Sequence, residues 1–278
     1  MSPAHQLSLL PKNPAPPQSS ADMAGSDITR IIEDSIRNTP RSLQKRIGPS
    51  EIGNDCEHCL AARLAGWSQT VPSVAWLPFI GTCVHEHYEQ FFREWADTQP
   101  ALHTGCPVAL TEQPVTVGTL DGTPITGSTD LYLPDQLGHA TTGMTVDWKI
   151  VGKTTLNQVK HDRQPSRRYI VQAMLYAKGW NEAGYPTSHV CVYFQPRNAI
   201  SLREGYIWTA PYEPQIAQKA LDHAQQLLDN IHALETVSTK LRDQWISSLP
   251  RASHCWDCAK YADRHQQPGC GPLATALK

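Results

Sequence analysis

Two acidic residues stand where acidic residues are rarely tolerated. Gly127-Ser128-Thr129-Asp130-Leu131-Tyr132-Leu133 and Met144-Thr145-Val146-Asp147-Trp148-Lys149-Ile150-Val151 both read as strands, and each carries an Asp inside a β-branched, apolar run. A carboxylate buried in such a run is costly unless its charge is paired or coordinated. Lys149 follows Asp147 by two residues, so both side chains point to one face of the strand, while Trp148 points to the other as core. Any fold of this chain has to bring these charges together.

The segments around the pair set the architecture. A disordered tail is expected over residues 1–25, rich in Pro, Ser, Ala and Gln. A short helix follows near Asp27–Arg37. Pro49-Ser50 predicts a helix start with Ser50 as N-cap; that helix carries Cys56 and Cys59 and ends near Gly66. Phe79–Ala96 predicts a longer helix with Ile80, Val84, Phe91, Phe92 and Trp95 on one stripe, and it also carries His85 and His87. Three strands are expected at Pro107–Val117, Pro124–Leu133 and Gly143–Val151, the first two joined at the tight turn Asp121-Gly122. A helix over Pro165–Ala183, strands at Ser188–Gln195 and Arg203–Thr209, and one long amphipathic helix from Glu213 to Ser248 complete the pattern. Three successive strands before a crossover helix imply an α/β fold with a mixed sheet. No internal repeat is visible.

Composition narrows the class. The chain has 278 residues with 40% hydrophobic and 18% charged, which is enough to bury a substantial core. The formal net charge is −2, so any surface for a polyanion must be a local patch. No apolar run approaches a membrane span, and the opening residues lack the basic-then-apolar pattern of a secretory leader. The expected compartment is cytoplasmic and reducing, the host cytoplasm if the chain is phage-encoded. There is no Gly-x-Gly-x-x-Gly or Walker-type phosphate loop, which speaks against nucleotide binding.

Two readings satisfy the buried charges. One is a structural salt bridge. The other is a catalytic site in which Asp130 and Asp147 each give an oxygen to a hard divalent cation that polarises a phosphodiester, with Lys149 orienting water or neutralising developing charge. Asp147-Trp148-Lys149 is the only acid-x-Lys triplet in the chain. On the following helix Tyr169, Gln172 and Tyr176 share one face, suited to a phosphate oxygen or a backbone contact, or else an ordinary half-exposed Tyr–Gln face. The intervening stretch is basic: Lys149, Lys153, Lys160, Arg163, Arg167 and Arg168 against the single acid Asp162. Beside two acidic strands, such a stretch suits a nucleic-acid backbone. Periodicity does not choose between His85 and His87.

Eight cysteines in a reducing compartment point to metal binding over disulfides. Cys83, Cys106 and Cys191 are scattered singly and read as small buried hydrophobes. Cys56-x-x-Cys59 lies early, and Cys255-x-x-Cys258 with Cys270 lies late, so a shared site would staple the two ends together. A zinc site would use Cys56, Cys59, Cys255 and Cys258; an iron–sulfur cluster would use one early cysteine with Cys255, Cys258 and Cys270. His58, His254 and His265 are possible substitute ligands.

Together these residues resemble the RecB-like branch of the PD-(D/E)XK nucleases, close to the iron–sulfur exonucleases that include the CRISPR-associated RecB-like, AddB-type and bacteriophage enzymes. Ile47-Gly48-Pro49-Ser50-Glu51-Ile52-Gly53 with Cys56 resembles the family's entry helix and first cluster cysteine. Gly81-Thr82-Cys83-Val84-His85 resembles the motif whose His binds the metal, which selects His85. Gly127–Asp130, Asp147-Trp148-Lys149 and Gln172-x-x-x-Tyr176 resemble the acidic, Asp-x-Lys and Gln-x-x-x-Tyr motifs.

The resemblance implies a restriction-endonuclease-like core over residues 26–271, a mixed central sheet flanked by helices, with N- and C-terminal segments joined by a metal-cluster staple and a flexible tail at 272–278. It implies Mg²⁺ or Mn²⁺ held by His85, Asp130 and Asp147, with Lys149, Gln172 and Tyr176 in catalysis. Lys153, Lys160, Arg163, Arg167 and Arg168 would lie along DNA. A 4Fe–4S cluster on Cys56, Cys255, Cys258 and Cys270 is implied as well. The expected activity is exonucleolytic hydrolysis of DNA, on single-stranded ends, in recombination, repair or phage DNA processing. The chain carries no helicase motifs, which implies either a stand-alone nuclease or the nuclease partner of a separate helicase or recombination protein. The rival is a non-catalytic DNA-binding or assembly protein with the same fold and a zinc or iron–sulfur staple. The gap from Cys258 to Cys270 is longer than the family pattern, and Cys59 is an additional thiol.

Overall fold

A computed structural model describes residues 20–37, 47–70, 76–100, 102, 105–253, 255 and 257–261. The chain divides into two units, Met1–Gln44 and Lys45–Lys278. In the first, helix α1 spans Ser20–Arg37 and thus begins inside the segment expected to be a tail. It is laced by ion pairs one turn apart, Arg30 to Asp27 and Arg37 to both Glu33 and Asp34. Residues 1–19 and 262–278 lie outside the described residues, and with them His265, Cys270 and most of both expected tails; so does His254.

The second unit is an α/β fold around a five-stranded mixed sheet. Its strands are β1 (Leu110–Leu120), β2 (Thr123–Leu133), β3 (Gly143–Val151), β4 (Thr187–Pro196) and β5 (Tyr206–Pro211), arranged in chain order. Every neighbour is antiparallel except β3 and β4, which are parallel. The β1–β2 hairpin closes at Asp121-Gly122, with φ of 48° and 70°, a turn that twists with its strands. The parallel step needs a crossover, and helices α5 (Lys153–Asp162) and α6 (Arg167–Glu182) supply it.

Helices cover both faces. On one, α4 (Trp76–Asp97) lays Tyr88, Phe92, Trp95 and Ala96 on Leu131, Leu133, Val146 and Trp148. On the other, α6 and α7 (Pro214–Val237) pack on Val115, Val117, Ile125, Val190, Val192 and Phe194. A smaller cluster gathers α3 (Glu57–Leu64), α8 (Thr239–Ser248) and the terminal turn around Cys56, Cys59, Cys258 and Tyr261. No helix among the described residues is long and apolar enough to cross a membrane.

Several sequence expectations change at element ends. The expected Ser50–Gly66 helix is two helices, α2 (Pro49–Ile52) and α3, with Gly48 capping the first and Cys56 the second. The break falls at Gly53, where a Cβ would lie 2.8 Å from Val171 Cβ and 2.9 Å from Arg168 O on α6. The basic stretch after β3 is a helix, α5, anchored by only two buried apolar residues, Leu156 and Val159, too few to show a period. The long terminal helix breaks at Ser238, whose extended backbone caps α8 while its Oγ accepts from Lys240 N at 3.1 Å and Leu241 N at 3.3 Å. Phe91, expected on the core stripe of α4, is 51% exposed. Leu202–Glu204 is a 3₁₀ turn, so β5 starts later than expected.

These caps differ in what they contribute. Ser238→Ala should destabilise the protein by about 1 kcal/mol, whereas Ser50→Ala should stay within about 0.5 kcal/mol of wild type, as read by chemical denaturation. Equal losses would place the cap of α2 back at Ser50.

Candidate active site

The site forms where β2 changes phase. Gly127 and Thr129 face α6: a Cβ on Gly127 would lie 2.7 Å from Pro49 Cγ and 3.1 Å from Tyr176 Oη, and Thr129 Oγ1 accepts from Trp180 Nε1 at 3.0 Å. Tyr132 faces α6 too, stacked on Trp180 with centroids 3.9 Å apart, whereas Leu131 and Leu133 pack on the α4 side. The alternation therefore slips by one residue, and that residue is Asp130. Across the hairpin, between the pairs Thr111–Leu131 and Gln113–Thr129, Glu112 adopts φ 47°, a left-handed conformation that carries strain for a Glu. Such irregularities re-aim side chains next to functional sites.

The slip turns Asp130 toward β3. Ladder pairing between β2 and β3 is confined to Leu131–Val146, Tyr132–Thr145 and Leu133–Met144. One residue further the register sets Asp130 opposite Asp147, and here the Asp130 carboxylate takes the place of a ladder acceptor: Oδ2 accepts from Trp148 N at 2.7 Å. Its other oxygen meets His85 Nδ1 at 3.1 Å. His85 shares a stripe of α4 with Tyr88 and Phe92, which fix the helix by an edge contact and a stack on Trp148, with centroids at 5.6 Å and 5.7 Å. His87 is exposed. Trp148 is core on the face opposite Asp147, as its strand position predicts.

Asp147 is buried, and Lys149 Nζ sits 2.6 Å from its Oδ2. The ammonium compensates this buried oxygen as an ion pair. Burial raises the Asp147 pKa to about 6 against the attraction of Lys149, and the Asp130 charge adds to the rise. For Lys149 the balance is reversed: burial favours the neutral amine, but Asp147 and Asp130 outweigh it and hold the ammonium above the usual lysine range. In His85 burial also opposes the charged form, and the hydrogen bond and charge of Asp130 prevail.

A hard cation fits here. Donor atoms of His85, Glu112 and Asp130 lie within 4.8 Å of one another, and the charge of Asp147 acts on the same place beside them. Glu112 escaped the sequence reading. It too is an acid in a strand, but no neighbouring motif marks it, and its relevance arises from the slip opposite Asp130.

On α6, Tyr169 lies under the Lys149 ammonium at 5.5 Å, and Gln172 and Tyr176 are buried, not half-exposed. Burial and the Asp147 charge push the Tyr176 hydroxyl well above its usual range, so it stays a neutral donor. Lys153, Lys160, Arg163 and Arg167 are exposed, with Lys160 Nζ donating to Glu204 O at 2.5 Å and Arg167 to Gly53 O at 3.3 Å. Arg168 is committed to the fold: it donates to Ser50 O at 2.7 Å and to Asp257 at 3.2 Å.

Four of the cysteines also come together. Cys56 Sγ lies 3.5 Å from Cys258 Sγ, and Cys59 Sγ lies 3.6 Å from Cys255 and 3.4 Å from Cys258. These separations are far beyond a disulfide bond. Hydrogen bonds from Cys255, Cys258 and Cys59 draw the Cys56 thiol well below its ordinary pKa. His58 is fully buried beside them, its Nδ1 3.7 Å from Cys59 Sγ and 3.9 Å from Cys258 Sγ. Cys270 lies outside the described residues.

No family model matches the sequence, and no curated protein does. Among solved structures the chain is similar to LHK-Exo in complex with dAMP, at 12% identity and TM-score 0.46, over 70% of this chain and 93% of that one. It is also similar to a Eubacterium rectale protein to which exonuclease activity is ascribed, at 14% identity and TM-score 0.43, over 80% of this chain and 90% of that one. LHK-Exo is an alkaline exonuclease from Laribacter hongkongensis, and a second structure of it aligns at 11% identity and TM-score 0.35, over 69% of this chain and 96% of that one. Similarity this distant assigns no function, and the functional reading rests on the residues of the site.

The raised pKa of Asp147 makes the site costly to the bare fold. The folded state holds this proton more tightly than the unfolded chain does. The ionised carboxylate therefore costs stability above pH 6, by on the order of 2–3 kcal/mol, and the cost disappears as pH falls toward 4. Without added metal, Asp147→Asn should leave the unfolding midpoint at pH 8 unchanged or raised, part of the gain being offset by the lost partner of Lys149. A clear fall would mean that the ion pair holds the fold.

Proposed function

We propose that the protein is a divalent-cation-dependent nuclease of the PD-(D/E)XK class that hydrolyses DNA, working as an exonuclease on single-stranded ends. The observation that carries this reading is the juxtaposition of Asp130 with the buried Asp147, bracketed by His85 and Lys149. A salt bridge alone accounts for Asp147 and Lys149. It does not account for a strained strand that turns a second carboxylate and an imidazole into the same place.

His85, Asp130 and Asp147 would hold Mg²⁺ or Mn²⁺, with Glu112 as a further ligand. When bound, such a cation polarises the scissile phosphate and makes an attacking water more acidic. The side chains around it have separable tasks. Lys149, kept protonated by two carboxylates, is no base; it donates to the attacking water or to a phosphoryl oxygen as negative charge builds. Tyr169 covers its far side and limits its hydration. Gln172 orients Tyr176, and the neutral phenol donates to a phosphate oxygen. Exposed Lys153, Lys160, Arg163 and Arg167 lie along the approach from β3 to α6 and suit the backbone of the strand. Arg168, tied to Ser50 and Asp257, has a supporting role and leaves the set expected to touch DNA.

The test uses end-labelled linear and circular single-stranded DNA, with and without Mg²⁺ or Mn²⁺, and with 5′- or 3′-blocked oligonucleotides. Wild type should degrade the linear form only, and only with cation. Asp147→Asn and Lys149→Ala should each lose about 10²–10³-fold in rate while the protein stays folded. Undiminished cleavage in folded Asp147→Asn would remove these residues from the mechanism. Salt-dependent DNA binding without cleavage by wild type would favour the non-catalytic reading.

A further inference from the structure

We propose that Cys56, Cys59, Cys255 and Cys258 bind one zinc ion, and that a 4Fe–4S cluster does not occupy this site. The spacing of the sulfurs decides between the two. Four thiolates around one zinc at about 2.3 Å stand about 3.8 Å from each other at the corners of a tetrahedron. The three separations of 3.5, 3.6 and 3.4 Å lie just inside that value. Cys56 and Cys59 both approach Cys258, and Cys255 approaches Cys59, so every sulfur touches at least one other. In a cubane cluster each cysteine binds a different iron at its own corner, so the protein sulfurs are held apart by the cube. Thiols in mutual contact leave no space for it.

The ligand set points the same way. It is two Cys-x-x-Cys pairs, and Cys59, which a cluster on Cys56, Cys255, Cys258 and Cys270 would leave unused, touches two of the other three sulfurs. Cys56 caps α3 and Cys59 lies in its first turn, where helix N–H groups favour thiolate charge. Cys56 N is fixed by Asn54 Oδ1 at 3.1 Å. Cys258 lies in the 3₁₀ turn Asp257–Lys260. His58 approaches two sulfurs at 3.7 and 3.9 Å and is clamped edge-on between Trp67 and Tyr261. A His58 ring nitrogen and the sulfurs of Cys56, Cys59 and Cys258 lie within 4.8 Å of one another; with Cys255 as the fourth thiolate, His58 serves as a hydrogen-bonding neighbour that orients the ligands.

The site closes the fold on its own ends. It joins α3 to the terminal turn, and Asp257 within that turn binds Arg168, the residue before Tyr169 on α6. A closed, redox-silent ion suits that role, which is independent of the catalytic reading.

The experiment is metal and sulfide analysis of the full chain, expressed with iron and zinc both supplied and purified without oxygen. The proposal expects one zinc per chain, no acid-labile sulfide and no brown chromophore. It expects Cys270→Ser and His58→Asn to keep the zinc, and Cys59→Ser and Cys255→Ser to lose it. Should the last two not be recovered folded, Co²⁺ replacement of the wild-type ion gives the same answer through the intense red-region bands of a tetrahedral tetrathiolate. Four irons with four sulfides and a requirement for Cys270 would overturn the proposal; so would a single iron, no metal, or zinc retained in Cys59→Ser.

Discussion

A buried carboxylate beside a half-buried one is repelled and loses its hydration, and the core of this fold is arranged around that cost. β2 slips at Asp130, so the carboxylate turns to the backbone of β3 and to His85 instead of joining the alternation of its strand. β3 answers with Asp147 and Lys149 on a single face. The strained backbone at Glu112 is the visible counterpart across the hairpin. Removing Lys149 would leave Asp147 a buried charge without its ion-pair partner. The pressure is not fully relieved in the bare protein, since the pKa of Asp147 stays raised although Lys149 pairs with it. Sites that bind cations are expected to carry such unrelieved charge.

The rest of the fold holds this arrangement in place. Tyr88 and Phe92 seat α4 on Trp148, which fixes His85 from one face of the sheet. Gly127 lets Pro49 and Tyr176 approach β2 from the other face, a contact that any side chain there would block. Arg168 then links α2, α6 and the terminal turn, so the cysteine cluster is connected to the helix carrying Tyr169, Gln172 and Tyr176 through two hydrogen bonds. The cluster matters to the site by positioning, since its sulfurs share no side-chain contact with the acidic residues among the described residues.

How much of this was legible in the sequence follows from where each signal resides. Asp130, Asp147 and Lys149 were legible because charge inside an apolar strand is anomalous by itself. The hairpin at Asp121-Gly122 and the mixed sheet followed from turn chemistry and element order. His85 was not separable from His87 by periodicity; only a motif resemblance chose it, and the stripe with Tyr88 and Phe92 supplies the reason. Glu112 was invisible, because its place depends on a strand irregularity that no residue type announces. The helix breaks at Gly53 and Ser238 were missed for a related reason: both depend on what packs alongside, not on local propensity. The cysteine spacing offered two ligand sets, and only the folded chain shows how closely the sulfurs of Cys56, Cys59, Cys255 and Cys258 approach.

The central claim is that the slip at Asp130 builds a cation site from His85, Asp130 and Asp147. Anomalous diffraction from crystals equilibrated with Mn²⁺ tests it most directly. The account predicts a manganese peak within bonding distance of His85, Asp130 and Asp147, absent from Asp130→Asn crystals grown the same way. Well-ordered crystals showing no peak there, with Lys149 still closed on Asp147, would reduce the acidic pair to a buried salt bridge.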